Sequence, residues 1–193
     1  MRFRRFVLPG AAIAGGGYLF YRLSVSGSLT LDVGVGRSTR PLGPLVVEIH
    51  APRETVFSII STPYLTRPPR AMQTKLRIIE RGASLVLAEH RTTVGRQTGG
   101  TLETVRFEQP ERISFRTVRG PVPEVTEQFV LKETGRGTEL RYDGVLSADL
   151  WALGRWWGDA VARRWVEAVD ATLASIKAEA ERRAQPKPPS PGR

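Results

Sequence analysis

The sequence predicts an α+β fold in which a curved antiparallel sheet wraps around one long C-terminal helix. Three observations carry this expectation. Between Leu45 and Gly144, short alternating segments follow one another with connections too brief for crossover helices, so neighbouring strands must run antiparallel. From Asp149 to Ala184, Leu150, Trp157, Val161, Trp165, Ala168, Val169, Leu173 and Ile176 fall on one broad apolar stripe, with Asp159, Arg163, Asp170 and Lys177 opposite. A chain of 193 residues, 40% of them hydrophobic, fills one ordinary core, so the stripe has no platform other than the sheet.

The chain opens with Arg2, Arg4 and Arg5, followed by Phe6 to Tyr21 without a charge. At 1.5 Å per residue the uncharged run covers about 24 Å, and snorkelling by Arg22 extends it through Leu23 and Val25 towards the roughly 30 Å of a bilayer core. Residues 1–25 are therefore expected to form a transmembrane anchor, with Tyr18, Phe20 and Tyr21 at its far interface. The three leading arginines place the N-terminus in the cytoplasm and the domain outside it. A cleaved secretory signal is one competing reading, because Ser24, Ser26 and Gly27 supply the small residues of a cleavage region, and an apolar helix packed on the domain is another, disfavoured because Gly-rich segments make poor core helices. Residues 26–44, rich in Gly, Ser and Thr, are expected to be a flexible linker, and residues 185–193, rich in proline, a disordered tail.

The folded domain is expected over 45–184. Leu45 to Ile49 reads as a strand, and Pro52 starts a short helix with Val56, Phe57 and Ile60 on one face, ending near Ile60 because Pro63 follows. Alternation places further strands at Thr74–Glu80, Ser84–Arg91, Gly100–Phe107, Arg112–Thr117, Glu124–Lys132 and Thr138–Gly144. Arg81-Gly82, Gly95-Arg96, Gln109-Pro110-Glu111, Gly120-Pro121 and Gly135-Arg136-Gly137 mark the turns between them.

Composition removes several function classes. The chain has no cysteine, which excludes disulfides, thiolate metal sites and cysteine nucleophiles. Its net charge of +10 suggests a polyanion partner, yet from Leu45 to Glu181 there are 19 basic and 18 acidic residues. The surplus sits in the tails, where it suits an anionic membrane rather than nucleic acid. Gly95 to Gly100 lacks the lysine and following helix of a phosphate loop and reads as a hairpin turn. No serine sits in a nucleophile elbow, no His and carboxylate set has metal-ligand spacing, and no cofactor motif is present.

Strand, short helix, six strands and a long C-terminal helix is an order similar to the helix-grip fold. Val47-Glu48-Ile49-His50-Ala51-Pro52-Arg53-Glu54-Thr55-Val56-Phe57 resembles the opening of polyketide cyclase/dehydrase and lipid-transport proteins of the START-related (SRPBCC) superfamily. Phe107-Glu108-Gln109-Pro110-Glu111-Arg112-Ile113-Ser114-Phe115-Arg116 resembles their proline-containing hairpin, and Gly135-Arg136-Gly137-Thr138-Glu139-Leu140-Arg141-Tyr142 their last Gly-Thr hairpin. The resemblance spans Leu45 to Ala184. It implies an internal cavity for a lipid or polyketide-like molecule, and alternatively cyclase or dehydratase chemistry. Ser61-Thr62-Pro63-Tyr64-Leu65-Thr66-Arg67-Pro68-Pro69 departs from the family, many of whose members carry Asp and Trp after the first helix.

Phe57, Leu87, Phe129, Leu140, Tyr142, Trp157, Val161 and Trp165 are the residues expected to line such a cavity. Trp156 falls off the helical stripe, which puts it at a cavity mouth, against lipid headgroups or on the plain surface. Glu89, Glu127 and Tyr142 are candidate acid or base groups, because they alternate in phase with Leu87, Phe129 and Leu140; the competing reading pairs the glutamates with arginines on the solvent face. His50 and His90 are the two histidines, and neither has a partner visible in the sequence; His50 joins the catalytic candidates. The expected partners are a hydrophobic small molecule and, through the N-terminal segment, a membrane. A protein-interaction module on the membrane surface is the third alternative.

Overall fold

The computed structural model describes residues 17–66, 73–94 and 97–185. Eight strands form one antiparallel sheet: β1 Ser38–Pro41, β2 Leu45–Ile49, β3 Leu76–Arg81, β4 Leu85–Val94, β5 Gln97–Glu108, β6 Arg112–Arg119, β7 Glu124–Thr134 and β8 Gly137–Ala148. Helices α1 Arg53–Leu65 and α2 Trp151–Ala184 accompany them, besides a helical stretch at residues 17–25. The sheet order is β1-β8-β7-β6-β5-β4-β3, and β2 also pairs with β8. β8 is long enough to serve both: Val145–Ala148 pairs with β1, and Thr138–Tyr142 with β2. Between the two, the Leu42 N–H donates to the Gly144 carbonyl at 2.8 Å while the Leu42 side chain is fully buried.

The expected fold class holds: a curved antiparallel sheet with a long C-terminal helix packed against it. The inner face follows from alternation, with Val125, Phe129 and Leu131 of β7, Leu140, Tyr142 and Leu146 of β8, and Ile113 and Phe115 of β6 all buried. Val169, Leu173, Ile176 and Ala180 of α2 are buried in the same core, and Trp157, Val161, Trp165 and Val166 are half-buried along its flank.

Three local expectations differ from the structure, and two others fall mostly outside the described residues. α1 runs through Pro63 to Leu65 instead of ending at Ile60. Its last turn is secured by Thr66, whose backbone N–H and hydroxyl both donate to the Thr62 carbonyl, and continuing the helix buries Tyr64 in the core. The glycine-rich turn is shorter than expected: β5 begins at Gln97, so Gly99 and Gly100 are strand residues paired with Thr92 and Arg91. The segment 26–44, expected to be a linker, supplies β1 and the buried Leu42. Finally, the first sixteen residues of the expected anchor lie outside the described residues, as do 186–193 of the expected tail; residues 17–25 are helical, and among the described residues no helix is long and apolar enough to cross a membrane.

One carboxylate explains why 26–44 is ordered on the domain. Asp149, almost wholly buried, accepts the Val33 and Gly34 N–H groups at 2.8 and 2.7 Å and the Arg37 Nε–H at 2.7 Å. Arg37 also reaches Asp32. The next two residues, Leu150 and Trp151, carry φ of 75° and 46°, left-handed values that cost L-residues about 1 kcal/mol or more each. Their N–H groups donate to Val35 and Gly36, so one strained corner starts α2 and fastens the incoming chain.

The bonds from Arg37, followed by those from the Gly34 and Val33 N–H groups, hold the Asp149 carboxyl at about 2, below its ordinary 3.8. Because the folded-state value is the lower one, its stabilisation is complete above about pH 4 and is lost as pH falls through about 2. Asp149→Ala is expected to cost about 3 kcal/mol in urea denaturation at pH 7, since it leaves Arg37 and two N–H groups without their acceptor. The deficit should shrink below pH 3.

Candidate functional site: a carboxylate in an aromatic interior

Glu127 lies at the centre of the inner face. On β7 it sits between buried Val125 and Phe129, opposite Phe115 of β6 and Gly144 of β8. Tyr142 and Gly144 are two residues apart on β8 and therefore share a face, so the tyrosine ring can extend over the glycine. A Cβ on Gly144 would stand 2.9 Å from the Tyr142 hydroxyl and 3.2 Å from Cβ of Glu127. The missing side chain thus clears the path by which Tyr142 Oη–H donates to Glu127 Oε2 at 2.5 Å. From above, Trp165 of α2 donates its Nε1–H to the same oxygen at 2.7 Å. Glu127 Oε1 makes no hydrogen bond to the described residues, yet Arg53 Nε is the one fully enclosed, unbonded side-chain atom among them. Both hydrogen bonds of Glu127 therefore fall on Oε2, and the residue as a whole is half-buried.

The neighbouring core is aromatic. Phe129 meets Tyr142 at 5.5 Å and Phe115 edge-on at 5.8 Å; Phe115 meets Tyr64 of α1 at 6.0 Å, and Tyr64 meets Phe107 at 5.8 Å. At the far end of this row is a second polar group. Glu103, buried on β5, faces His90 Nε2 of β4 at 3.7 Å, and the Tyr64 hydroxyl lies 3.5 Å from the same nitrogen. A register shift between Leu102 and Glu103 leaves Val118 of β6 as an extra, exposed residue and brings Thr117 opposite Glu103 on the inner face.

Electrostatics follow from this enclosure. Burial, together with the nearby charge of Glu103, raises the Glu127 carboxyl from its ordinary 4.5 to about 7, although the Tyr142 and Trp165 hydrogen bonds pull the other way. Burial and then the Glu127 charge push the Tyr142 hydroxyl well up, so it remains a donor. Near neutral pH Glu127 is consequently divided between acid and carboxylate, with both of its hydrogen bonds on one oxygen. Such a group can give or take a proton, or orient a polar atom of an otherwise apolar guest.

Of the residues singled out from the sequence, Glu127, Tyr142 and Trp165 are in direct contact. Phe129 joins them, and Phe57 and Leu140 are buried core residues. Trp157 directs its Nε1–H to the Pro121 carbonyl at 2.8 Å, and Val161 packs beside it on the same flank of α2. Leu87 and Glu89 belong to the other face of β4, because Val86 and Ala88 are the buried pair there; Glu89 instead meets Arg77 and Arg91. Their expected phase fails since alternation fixes which residues share a face but not which face is inner. His50 is exposed after β2, its Nδ1 at 3.3 Å from the Arg136 carbonyl and its N–H donating to Glu181. A separate groove of about 670 Å³ at the β3 edge is bordered by Leu65, Lys75, Leu76, Arg77, Arg81 and Arg91, among others, and of the expected site residues it touches Glu89 alone.

Sequence reasoning missed Glu103, His90 and Tyr64 as a cluster. The period-2 pattern Glu103, Val105, Phe107 placed the carboxylate with apolar residues and was the available signal. The pairing of His90 with it needed the sheet register.

Two outcomes test this geometry. Glu127's folded-state value is raised, so its contribution to stability is present below about 4.5 and lost as pH rises through about 7. Glu127→Gln should flatten that decline in denaturation curves recorded from pH 5 to 8, leaving the variant more stable than the parent at pH 8. Gly144→Ala should destabilise by about 1–3 kcal/mol and displace the Tyr142 hydroxyl, seen as an upward shift of the Glu127 carboxyl resonance midpoint by NMR.

Comparison with known proteins agrees with the architecture. Among solved structures, the chain is similar to the Zhui aromatase/cyclase from Streptomyces sp. R1128, at 15% identity and TM-score 0.61 over 77% of this chain and 97% of that one. It is similar to norcoclaurine synthase from Thalictrum flavum in complex with dopamine and hydroxybenzaldehyde, at 12% identity and TM-score 0.59 over 79% and 91%. A START superfamily protein from Mycobacterium smegmatis matches at 15% identity and TM-score 0.53 over 76% and 97%. At these identities the likeness establishes the fold. No curated protein matches the chain. The profile of the family described as polyketide cyclase / dehydrase and lipid transport matches residues 45–181, and by that match the chain belongs to this family.

Proposed function

We propose that the chain binds an apolar small molecule, lipid or polyketide-like, between the curved sheet and α2, and that its N-terminal segment tethers it to a membrane. The observation that carries the binding reading is Glu127: a half-buried carboxyl fixed by Tyr142 and Trp165 on one oxygen, with Phe115 and Phe129 beside it on the inner face. Contact with aromatic side chains would supply affinity at about 25 cal/mol per Å² of apolar surface removed from water, and the second carboxyl oxygen would orient one polar atom of the guest.

Acid/base catalysis of cyclase or dehydratase type is the second reading. The raised value of Glu127, about 7, favours it, and so does the aromatase/cyclase activity named for one structural neighbour. The tether reading rests on the uncharged run Phe6–Tyr21 behind three arginines, with the N-terminus cytoplasmic and the domain extracytoplasmic.

Native mass spectrometry of the full chain released from membranes is expected to show a bound lipid or polyketide-sized adduct; an adduct-free chain that also fails to bind a fluorescent fatty acid and a tricyclic aromatic probe would overturn the binding reading. With a turned-over probe in hand, Glu127→Gln separates the two readings: lost turnover with binding unchanged identifies an enzyme, and binding weakened about tenfold with no turnover in the parent identifies a carrier. For the tether, the chain should resist carbonate extraction and its domain should be cleaved by protease added to the extracytoplasmic side.

A further inference from the structure

We infer that the end of the domain formed by residues 17–23 and the first two turns of α2 lies against the lipid–water interface of a bilayer. This rests on the tether reading and adds to it which face of the domain meets the lipid. Six large apolar side chains are concentrated there, Tyr18, Leu19, Phe20, Trp151, Leu153 and Trp156, each between 46% and 66% exposed. Single exposed apolar residues are ordinary, but a group of six including two tryptophans marks an interaction surface.

The group is joined by contacts. Leu153, Trp156 and Trp157 lie three and four residues apart on one flank of α2. The Trp156 and Trp157 rings are 6.5 Å apart, and Tyr21 meets Trp157 edge-on at 5.9 Å, which ties the N-terminal helical stretch to the start of α2. Trp151 covers Gly36, where a Cβ would stand 2.5 Å from its ring.

Two features identify a bilayer as the occupant. Tryptophan and tyrosine concentrate at membrane interfaces, where one end of the ring is apolar and the other wet. Charge agrees: Asp32, Asp149 and Asp159 at this end are each paired with Arg37 or Arg40, whereas Arg22 and Arg155 have no carboxylate partner among the described residues and are available to anionic headgroups. Chain continuity then fixes the distance. Tyr21 is packed on Trp157, and Thr30 exchanges hydrogen bonds with the Gly120 N–H and carbonyl at 2.9 and 2.7 Å. Ser26 and Gly27 lie so close to Gly100 that a Cβ on Gly27 would stand 2.0 Å from its carbonyl oxygen. With no slack between Tyr21 and the domain, a membrane-embedded run ending there holds this face at the lipid surface, beside the half-buried flank of Trp157, Val161 and Trp165.

The test uses the full chain reconstituted in vesicles of equal parts phosphatidylcholine and phosphatidylglycerol, with lipids brominated near the headgroup as quenchers. All four tryptophans lie in α2, so about half of the emission should be quenched in the parent, and the quenched fraction should fall severalfold in Trp151→Phe/Trp156→Phe, whose side chains are largely exposed and whose folding is checked by circular dichroism. Carbonate extraction of the same vesicles reports on the anchor separately. Unquenched emission with a carbonate-resistant chain overturns this inference and leaves the tether standing; quenched emission with a carbonate-extracted chain supports the face and overturns the tether; failure of both overturns both. Unquenched emission accompanied by cross-linked dimers assigns the face to a second copy and likewise overturns it.

Discussion

One helix has to cover the concave face of an eight-stranded sheet, and most of this molecule can be read as a consequence of that constraint. Across its 34 residues α2 meets the demand in two ways. Its C-terminal half fills the core with Val169, Leu173 and Ile176, and Lys177 and Glu181 fasten it to the end of β2 through Glu48 and His50. Its N-terminal half presents Gly158 and Ala162 to the sheet instead and Gly154 to the backbone of Asp149, and a Cβ on Gly158 would stand 3.1 Å from Ala148. Small residues let the helix come close to β8 along a narrow seam. The price of that approach is a flank, Trp157 to Trp165, that is only half-buried.

The interior beneath this flank is where polar chemistry becomes expensive and therefore informative. A carboxyl in such surroundings either loses its charge or collects donors. Glu127 does some of each: Tyr142 and Trp165 supply two hydrogen bonds, but burial and Glu103 outweigh them, and its titration moves towards neutrality. A sheet designed only to be stable would have placed an apolar residue there, as its neighbours Val125 and Phe129 are.

The N-terminal approach to the domain completes the picture on the outside. Asp149 and the left-handed pair Leu150 and Trp151 turn the entry into α2 into a fastening point for residues 33–37, while Thr30, Gly27 and Tyr21 fasten the preceding stretch to Gly120, Gly100 and Trp157. The stretch 26–44 has the composition of a linker yet is held as part of the domain. Its glycines serve close approach of two backbones, which composition alone cannot distinguish from freedom.

The sequence by itself determined the sheet and its cover, because strand and helix periods differ and each marks one face of its own element; it also marked Glu127, Tyr142 and Trp165 as candidates, since each alternates or recurs in step with apolar neighbours. Turn residues located the hairpins, and the resemblance of Val47–Phe57 and Gly135–Tyr142 to one family was carried by the same local features. What only the tertiary structure decided was which of two faces is inner and which residues from distant strands meet. Glu89 and Glu127 have the same kind of pattern, yet one meets arginines outside and the other a tyrosine and an indole within. The pairing of Glu103 with His90 depends on register between β4 and β5, the order around β1 on β8, and the space left by Gly144 on the conformation of its neighbour. These are relations between segments far apart in the chain, and a period read along one segment carries no information about them.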